Sequence, residues 1–311
     1  MIAIETRPVR HCTLKVAGSK SYTHRLLIAA AMSPGRCTLL NALRSEDTDF
    51  TLNALRQMGV DISASGTTIE MHGGGGRLHP TAAPIYLGNS GTSMRLLMST
   101  ACLGEGDYLL TGTPRMHERP VQPLVTALDQ LGVRAECVNG TGCPPVRIRG
   151  GDIRGGDVAI DCSVSSQFLS SLLLAAPCFM NGMNINVIGP AVSRPYIDMT
   201  IEILDRFSVR VEREGYERFK VAGGQTFKPG RYPVEPDASN ASYFWAIGAI
   251  SGRRVTVAGI RPTSLQGDLG IVGLLEQMGC RITRNDDGLG VQGGELRGID
   301  ADMGNMPDMV P

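Results

Sequence analysis

A polar turn rich in Ser, Gly and Asn recurs along the chain, and an apolar helical pattern follows it each time. The four copies are Gly18–Leu27, Gly88–Leu97, Ser163–Leu172 and Asp237–Trp245. The first two align without a gap, so Arg25 and Arg95 hold the same position in the repeat. A helix N-terminus carries free backbone N–H groups and the positive end of the helix dipole, so it binds anions readily. The pattern therefore predicts a site for phosphate or carboxylate groups.

Cations stand in or beside the first turns of these predicted helices, where they oppose the helix dipole. For a single Ser, Asn or Gly, an ordinary cap or tight turn explains the residue as well as a binding role does. Capping needs no cation, however, so Lys20, Arg25, Arg95 and Arg119 together indicate a bound anion. The residues suited to phosphate or carboxylate are Lys20, Ser21, Arg25, Asn89, Gly91, Thr92, Arg95, Ser165, Ser166 and Gln167. The string Gly18–Ser21 lacks the earlier glycine of a Walker A loop, which argues against a nucleotide phosphate loop.

A second repeated phrase shows which elements position these residues. Its copies end four helical patterns and are Leu55–Val60, Leu128–Val133, Leu204–Val209 and Leu275–Cys280. Two short alternating strands follow each copy, and a further strand follows each polar-turn helix. The sequence therefore predicts an α/β fold of repeated β-α-β-α-β-β units, with a period of about 70–76 residues.

Composition excludes several classes of protein. Thirty Lys and Arg residues balance thirty Asp and Glu residues in a chain of 311, so no overall basic field exists to bind nucleic acid or an anionic membrane. No apolar run reaches the roughly 18 residues of a membrane span. The eight cysteines and five histidines form no metal motif, and free thiols in a reducing cytoplasm explain the cysteines. Met1–Arg7 is predicted as a strand, without a signal-peptide pattern.

The repeat also bears on the extent of the chain. Asp308 lies 14 residues after Gly294, as Asp237 does after Gly223, so a fifth unit begins at Pro307 and stops at Pro311. The pattern predicts a fragment of a longer protein whose last domain is incomplete.

Seven strings in this order resemble the 5-enolpyruvylshikimate-3-phosphate (EPSP) synthase family, the 3-phosphoshikimate 1-carboxyvinyltransferases. They are Gly18–Arg25, Leu87–Arg95, Arg115–Pro120, Ser165–Leu169, Ser193–Asp198, Pro236–Tyr243 and Pro307–Asp308. The resemblance covers the whole chain and implies an enolpyruvyl transferase-like fold of two domains with the active site in the cleft between them. It implies a complete first domain over residues 18–233 and a truncated second domain over residues 1–17 and 234–311.

The resemblance also implies a reaction of the shikimate pathway, which leads to chorismate and the aromatic amino acids. The enolpyruvyl group of phosphoenolpyruvate moves to the 5-hydroxyl of shikimate 3-phosphate, and phosphate is released. No metal or organic cofactor is expected, and the partners are these two small molecules, without nucleic acid or membrane. A cytoplasmic monomer is expected.

The resemblance assigns roles residue by residue. Lys20 is similar to the cation that touches both substrates, and Asp308 to the general base for the 5-hydroxyl. A plain helix cap is a fair alternative for Asp308, because Asp237 holds the same place one unit earlier. The residues similar to shikimate 3-phosphate contacts are Lys20, Ser21, Arg25, Ser165, Ser166, Gln167, Ser193, Tyr196 and Asp308. Those similar to phosphoenolpyruvate contacts are Lys20, Asn89, Gly91, Arg119 and Gln167.

Two alternatives stay open at this point. The first is a resemblance to the UDP-N-acetylglucosamine enolpyruvyl transferases, a family that carries a Lys-Asn pair near the start and a cysteine before an Arg-Pro pair. Here the pair is Lys20 and Ser21, and Thr111–Pro120 contains no cysteine. The other alternative is an inactive fragment that binds shikimate 3-phosphate, since the 311-residue chain is expected to lack part of the phosphoenolpyruvate site.

Overall fold

The structure, a computed structural model, describes residues 10–151, 154–261, 263–285 and 287–310. The strand predicted over Met1–Arg7 lies outside the described residues. The chain divides into two compact units. The larger unit is Lys20–Val234, and the smaller unit comprises the described parts of Met1–Ser19 and Glu235–Pro311.

Eight α-helices are present in the described part of the chain. They are α1 Lys20–Met32, α2 Glu46–Gln57, α3 Gly91–Ala101, α4 Gln122–Gln130, α5 Gln167–Ala175, α6 Arg194–Arg206, α7 Ala238–Ser251 and α8 Gly270–Gln277. The polar turns precede α1, α3, α5 and α7, and the second repeated phrase ends α2, α4, α6 and α8, as the sequence predicts. A Gly with positive φ follows the ends of α2, α4 and α8. Ser208 takes the same kind of conformation after α6, with φ +62°.

The strands of the first two repeats and of their connections are β1 Cys12–Leu14, β2 Arg36–Leu40, β3 Asp61–Ser65, β4 Thr68–His72, β5 Ile85–Tyr86, β6 Gly106–Thr111, β7 Arg134–Cys137 and β8 Val146–Gly150. The remaining strands are β9 Gly156–Asp161, β10 Met183–Ile188, β11 Glu212–Glu214, β12 Arg218–Val221, β13 Arg231–Pro233, β14 Val255–Val257, β15 Arg281–Asn285 and β16 Gly288–Gln292. They form four four-stranded sheets, one for each repeat. The predicted α/β repeat is confirmed.

Each sheet combines one parallel pair of strands with an antiparallel hairpin. In the second repeat, β5 runs parallel to β6 across the helix α3, and β8 then pairs antiparallel with both β6 and β7. In the first repeat the parallel partner of β2 is β13, which pairs Arg231 with Thr38 from almost 200 residues later in the chain. In the smaller unit, β1 supplies the parallel partner of β14 in the same way. The sequence pattern did not predict the role of β13.

The core of the larger unit lies around the first helices of its three repeats. Helices α1, α3 and α5 contact one another, and α6 packs against α1 and α5. All residues from Tyr22 to Met32 of α1 are buried. Residues on every side of α1 are thus buried, and the neighbouring helices provide that enclosure. The starts of these three helices therefore belong to one continuous packed structure.

Candidate functional site

The starts of α3 and α5 are joined by one arginine. Arg95 Nη1 donates to Ser165 Oγ at 3.2 Å and to Gln167 Oε1 at 3.0 Å. Gln167 Nε2 in turn donates to Thr92 Oγ1 at 3.1 Å, which closes the link between the two helices. Ser165 Oγ also accepts the backbone N–H of Gln167, the first residue of α5, at 3.2 Å. Four of the polar residues selected from sequence are thus in direct contact.

Arg95 and Arg119 make this region positive. Burial and, to a smaller extent, the nearby charge of Arg119 lower the pKa of Arg95 to about 10. Neither guanidinium has a carboxylate within ion-pair distance among the described residues. Two arginines held close to each other, beside the positive ends of helix dipoles, favour a bound anion.

Gly91 is the first residue of α3 and lies directly against Arg119. A Cβ atom placed on Gly91 would lie 2.6 Å from Cζ of Arg119 and under 3 Å from both terminal nitrogens. Arg119 Nη1 donates to the carbonyl oxygen of Asn89 at 2.8 Å, which holds the guanidinium over this turn. The backbone of residues 89–91 and the Arg119 side chain therefore form one close-packed arrangement, and a side chain at position 91 would displace the guanidinium.

Arg25 occupies the equivalent position in α1 but is fully enclosed, with 1% of its surface exposed. Its Nε donates to Thr200 Oγ1 at 2.7 Å, and its terminal nitrogens donate to Ser170 Oγ and to the carbonyl oxygens of Ser21 and Tyr196. Burial lowers its pKa to about 10. No carboxylate pairs with it among the described residues. Arg25 thus fixes α1 against α5 and α6 and places an uncompensated cation there.

Ser193 precedes α6 in a strained backbone conformation. Its φ of +50° and ψ of +46° are left-handed, and its side chain makes no capping hydrogen bond to α6. Such strain in a residue with a Cβ atom tends to occur at functional sites. Ser166 caps α5 with its backbone only, and its side chain is buried. The hydroxyl groups of Ser193 and Ser166 therefore do not cap the helices that they precede.

Lys20 and Asp308 lie in different surroundings. Lys20 is the first residue of α1, and its Nζ lies 3.7 Å from Asp47 Oδ2, with about half of the lysine side chain exposed. Asp308 is exposed in the one-turn helix Pro307–Met309 of the smaller unit. Asp237, its counterpart one repeat earlier, caps α7 by accepting the backbone N–H of Asn240 at 2.8 Å.

Most residues of this cluster can be selected from the sequence, but the contacts that link them cannot. Arg95 and Thr92 connect the helix starts, although neither was assigned a ligand. The alignment of Arg95 with Arg25 was the available signal. A buried chain of side chains that begins at His24 was missed entirely, because single Thr and Ser residues inside apolar helices carry no sequence signal.

Two absences hold for the part of the chain that the structure describes. No group of three or more His, Cys, Asp or Glu side chains is arranged to hold a metal ion. Within the same ranges, no helix has both the length and the apolar character that a bilayer crossing requires.

The chain is similar to proteins of one family. The family model for EPSP synthase (3-phosphoshikimate 1-carboxyvinyltransferase) matches residues 7–311. The 3-phosphoshikimate 1-carboxyvinyltransferase of Serratia proteamaculans is 47% identical over 300 residues, which are 95% of this chain and 70% of that protein. The protein of the same name from Sulfurovum sp. is 43% identical over 99% of this chain and 74% of its own length. A solved structure of EPSP synthase from Acinetobacter baumannii superposes with a TM-score of 0.81 at 28% identity, covering 97% of this chain and 70% of that one.

Proposed function

The chain belongs to the family of EPSP synthases, the 3-phosphoshikimate 1-carboxyvinyltransferases, and on this premise we propose which residues carry the transfer reaction. The reaction belongs to the shikimate pathway of aromatic amino acid biosynthesis. The enolpyruvyl group of phosphoenolpyruvate moves to the 5-hydroxyl of shikimate 3-phosphate, and inorganic phosphate leaves. The observation that supports our assignment best is the pair Arg95 and Arg119, which lies at two joined helix starts without a carboxylate partner among the described residues.

The two substrates are both anions, so their mutual repulsion has to be offset before they react. Preorganised cations and helix N–H groups do this without reorganising during the reaction. We assign the phosphate of shikimate 3-phosphate to the hydroxyls of Ser165, Ser166 and Ser193. Ser21, Arg25 and Tyr196 are assigned to the same substrate. Arg25 is enclosed and donates to the carbonyl oxygens of the other two residues, so its charge acts on the substrate from behind them.

Phosphoenolpyruvate is assigned to the other side of the link made by Arg95. Arg119, Gly91 and Asn89 form the close-packed turn, and a small donor anion can approach its backbone because Gly91 has no side chain. Gln167 contacts this turn through Thr92 and donates its backbone N–H to Ser165, which supports its assignment to both substrates. Lys20 is assigned to both substrates.

The bond changes require an acid and a base. The 5-hydroxyl oxygen attacks C2 of phosphoenolpyruvate and loses its proton, while the methylene carbon C3 gains one. In the second step the C2–O bond to phosphate breaks, and C3 loses a proton to restore the double bond. We assign the removal of the hydroxyl proton to Asp308 and name Lys20 as a proton donor. This assignment rests on the family motifs rather than on a contact.

The experiment is an acceptor-dependent phosphate-release assay. Phosphate released from phosphoenolpyruvate is measured with shikimate 3-phosphate and, separately, with UDP-N-acetylglucosamine as acceptor. We expect phosphate release with shikimate 3-phosphate but not with UDP-N-acetylglucosamine, and detection of the enolpyruvyl product by mass spectrometry. Release with the second acceptor alone would contradict the proposal. Binding of shikimate 3-phosphate without any release would favour the inactive-fragment alternative. The domain bounds 18–233 and 1–17 with 234–311, the monomeric state and the cytoplasmic location stay predictions.

A further inference from the structure

A buried chain of hydrogen bonds connects α1, α2 and α3 behind the candidate site. His24 Nδ1 lies 2.8 Å from Thr51 Oγ1, and Thr51 Oγ1 lies 2.8 Å from Ser93 Oγ. Ser93 Oγ continues the chain to the carbonyl oxygen of Asp47 at 3.1 Å and lies 2.7 Å from Ser90 Oγ. His24, Thr51 and Ser93 have no exposed surface. Most buried polar groups in proteins are hydrogen-bonded, and a chain of such bonds fixes the helices that carry it relative to one another.

The direction of each bond follows from the number of protons available. Ser93 Oγ donates its single hydroxyl proton to the Asp47 carbonyl, which can only accept, and so accepts from Ser90 Oγ. Ser93 Oγ then accepts the hydroxyl proton of Thr51, and Thr51 Oγ1 has to accept a proton in turn. The remaining donor is Nδ1–H of His24. The imidazole is therefore the Nδ1–H tautomer, and its Nε2 is a bare, buried acceptor without a hydrogen-bond partner.

Both ends of this chain reach residues of the candidate site. The Asp47 carbonyl belongs to the residue whose carboxylate lies 3.7 Å from Lys20 Nζ. Ser90 is the N-cap of α3, where its hydroxyl accepts the backbone N–H of Ser93 at 3.3 Å, and Gly91 follows it directly. One hydrogen-bond chain thus sets the position of the partner of Lys20 and of the turn that holds Arg119.

We propose that His24 is a positioning residue for phosphoenolpyruvate, and that it acts by donating from Nδ1 to Thr51, which donates to Ser93 in the first turn of α3, which in turn donates to the Asp47 carbonyl. This inference rests on the proposed roles of Lys20 and Gly91. It predicts that the donor at the Nδ1 position matters, whereas the imidazole ring and its Nε2 do not.

The tautomer is tested directly by nitrogen-15 NMR of the labelled chain, which does not require turnover. Long-range proton–nitrogen correlations of His24 are expected to show a protonated Nδ1 and a bare Nε2. Assignment is made by comparison with His24→Asn. An Nε2–H tautomer would overturn the inference, whatever the activity of the protein.

Two substitutions at His24 then separate positioning from folding. An asparagine amide can donate from nearly the place of Nδ1, whereas leucine has similar bulk and no donor. For His24→Leu we expect the KM for phosphoenolpyruvate to rise about tenfold, the effect of one lost buried hydrogen bond, and the KM for shikimate 3-phosphate to stay within about twofold. For His24→Asn we expect both constants within about twofold of the parent. The exposed His72→Leu is the matched control.

The outcomes for the two His24 variants test the positioning role separately from the proposed function. An unchanged KM for phosphoenolpyruvate in His24→Leu, or an equal loss in His24→Asn and His24→Leu, would overturn the positioning role while the parent remains active. If His24→Leu does not fold, normal constants for His24→Asn and the Nδ1–H tautomer support the inference. Failure of the proposed function would appear differently, as a folded parent without phosphate release that depends on shikimate 3-phosphate.

Discussion

Helices that follow the same polar turn are enclosed in the larger unit and half exposed in the smaller unit. In α1 every residue from Tyr22 to Met32 is buried. In α7 only five residues are buried, and Tyr243, Ile247 and Ile250 expose 71%, 44% and 81% of their surface. The larger unit packs α1, α3 and α5 against one another, whereas the described part of the smaller unit contains one helix of this kind. A single repeat therefore does not bury its own first helix.

The two units also differ in the chemistry of the helix starts. Asp237 caps α7 with its carboxylate, which is the favourable charge at a helix N-terminus. Lys20 and Arg25 in α1 and Arg95 in α3 have the opposite charge, and side chains of neighbouring helices hold the two arginines in place. The polar turn by itself is thus a capping device. It becomes a candidate anion site only where cations are held against it.

The largest expected effect tests this difference in charge. Lys20→Met keeps the aliphatic stem and removes the cation, so turnover should fall at least about 100-fold. Stability should change little, because an ion pair as exposed as Lys20 with Asp47 contributes little to folding. Lys220→Met is the control, because Lys220 has a similar exposed pair with Glu212 at 3.9 Å. Phosphate release and thermal unfolding of both variants are measured. Equal turnover in the two would remove Lys20 from the site.

The difference in enclosure is tested with two isoleucines. Ile28 in α1 is 1% exposed and Ile250 in α7 is 81% exposed. Ile28→Ala should lower the free energy of unfolding by about 3 kcal/mol, from lost burial and the cavity left behind. Ile250→Ala should change it by less than about 0.5 kcal/mol. Urea unfolding is followed by circular dichroism, and by fluorescence of Trp245 for the smaller unit. Similar losses at both positions would show that α7 is enclosed in solution.

The burial of α1 also predicts acid sensitivity. Burial, and then the charges of Lys20 and Arg25, lower the pKa of His24 to about 3 from 6.5. Between these pH values His24 is protonated in the unfolded chain and neutral in the folded chain. The free energy of unfolding therefore falls as the pH falls below about 6.5. From pH 7 to pH 5 the parent should lose about 2 kcal/mol more than His24→Asn, which has no such group. Urea midpoints at both pH values measure this. Equal losses would show that His24 is not buried as a neutral ring.

A smaller effect is expected at the start of α3. Gly91→Ala places a methyl group within 2.6 Å of the Arg119 guanidinium, which has to move. We expect the KM for phosphoenolpyruvate to rise about tenfold and the KM for shikimate 3-phosphate to change much less. Gly273→Ala in α8 is the control, because its Cβ would meet nothing within 4 Å. An equal rise in both constants for Gly91→Ala would indicate a general folding defect.

The smallest effect concerns the ends of the second helices. Gly59, Gly132 and Gly279 follow α2, α4 and α8 with positive φ, and Ser208 takes φ +62° at the same place after α6. Ser208→Gly should raise the free energy of unfolding by about 0.5 kcal/mol, since relief of the left-handed strain exceeds the added backbone entropy. Gly132→Ala should lower it by about 1 kcal/mol. Thermal unfolding measures both, and stabilisation by Gly132→Ala would refute this reading of the repeat.

The sequence alone predicted the order of the elements and the family. Alternation of strands and helical periodicity are local patterns, and so are the polar turns and the glycines after the helices. Each of these local patterns occurs in four repeats, so the pattern can be recognised even where one copy departs from it. The residues of the candidate site could be selected because cations at helix starts conflict with the dipole. The reaction came from the family motifs.

Only the tertiary structure decided which of these residues touch. Nothing local shows that β13 completes the sheet of β2, because strand pairing across such a separation depends on the closure of the whole unit. The sequence pattern gives Arg25 and Arg95 equivalent positions. Arg25, however, is enclosed and bonded to α5 and α6, whereas Arg95 bonds to Ser165 and Gln167 at the start of α5. The tautomer of His24 is likewise set by Thr51, Ser93 and the Asp47 carbonyl, which come from two other helices. Hydrogen bonds and burial depend on neighbours in space, and a sequence pattern records only neighbours along the chain.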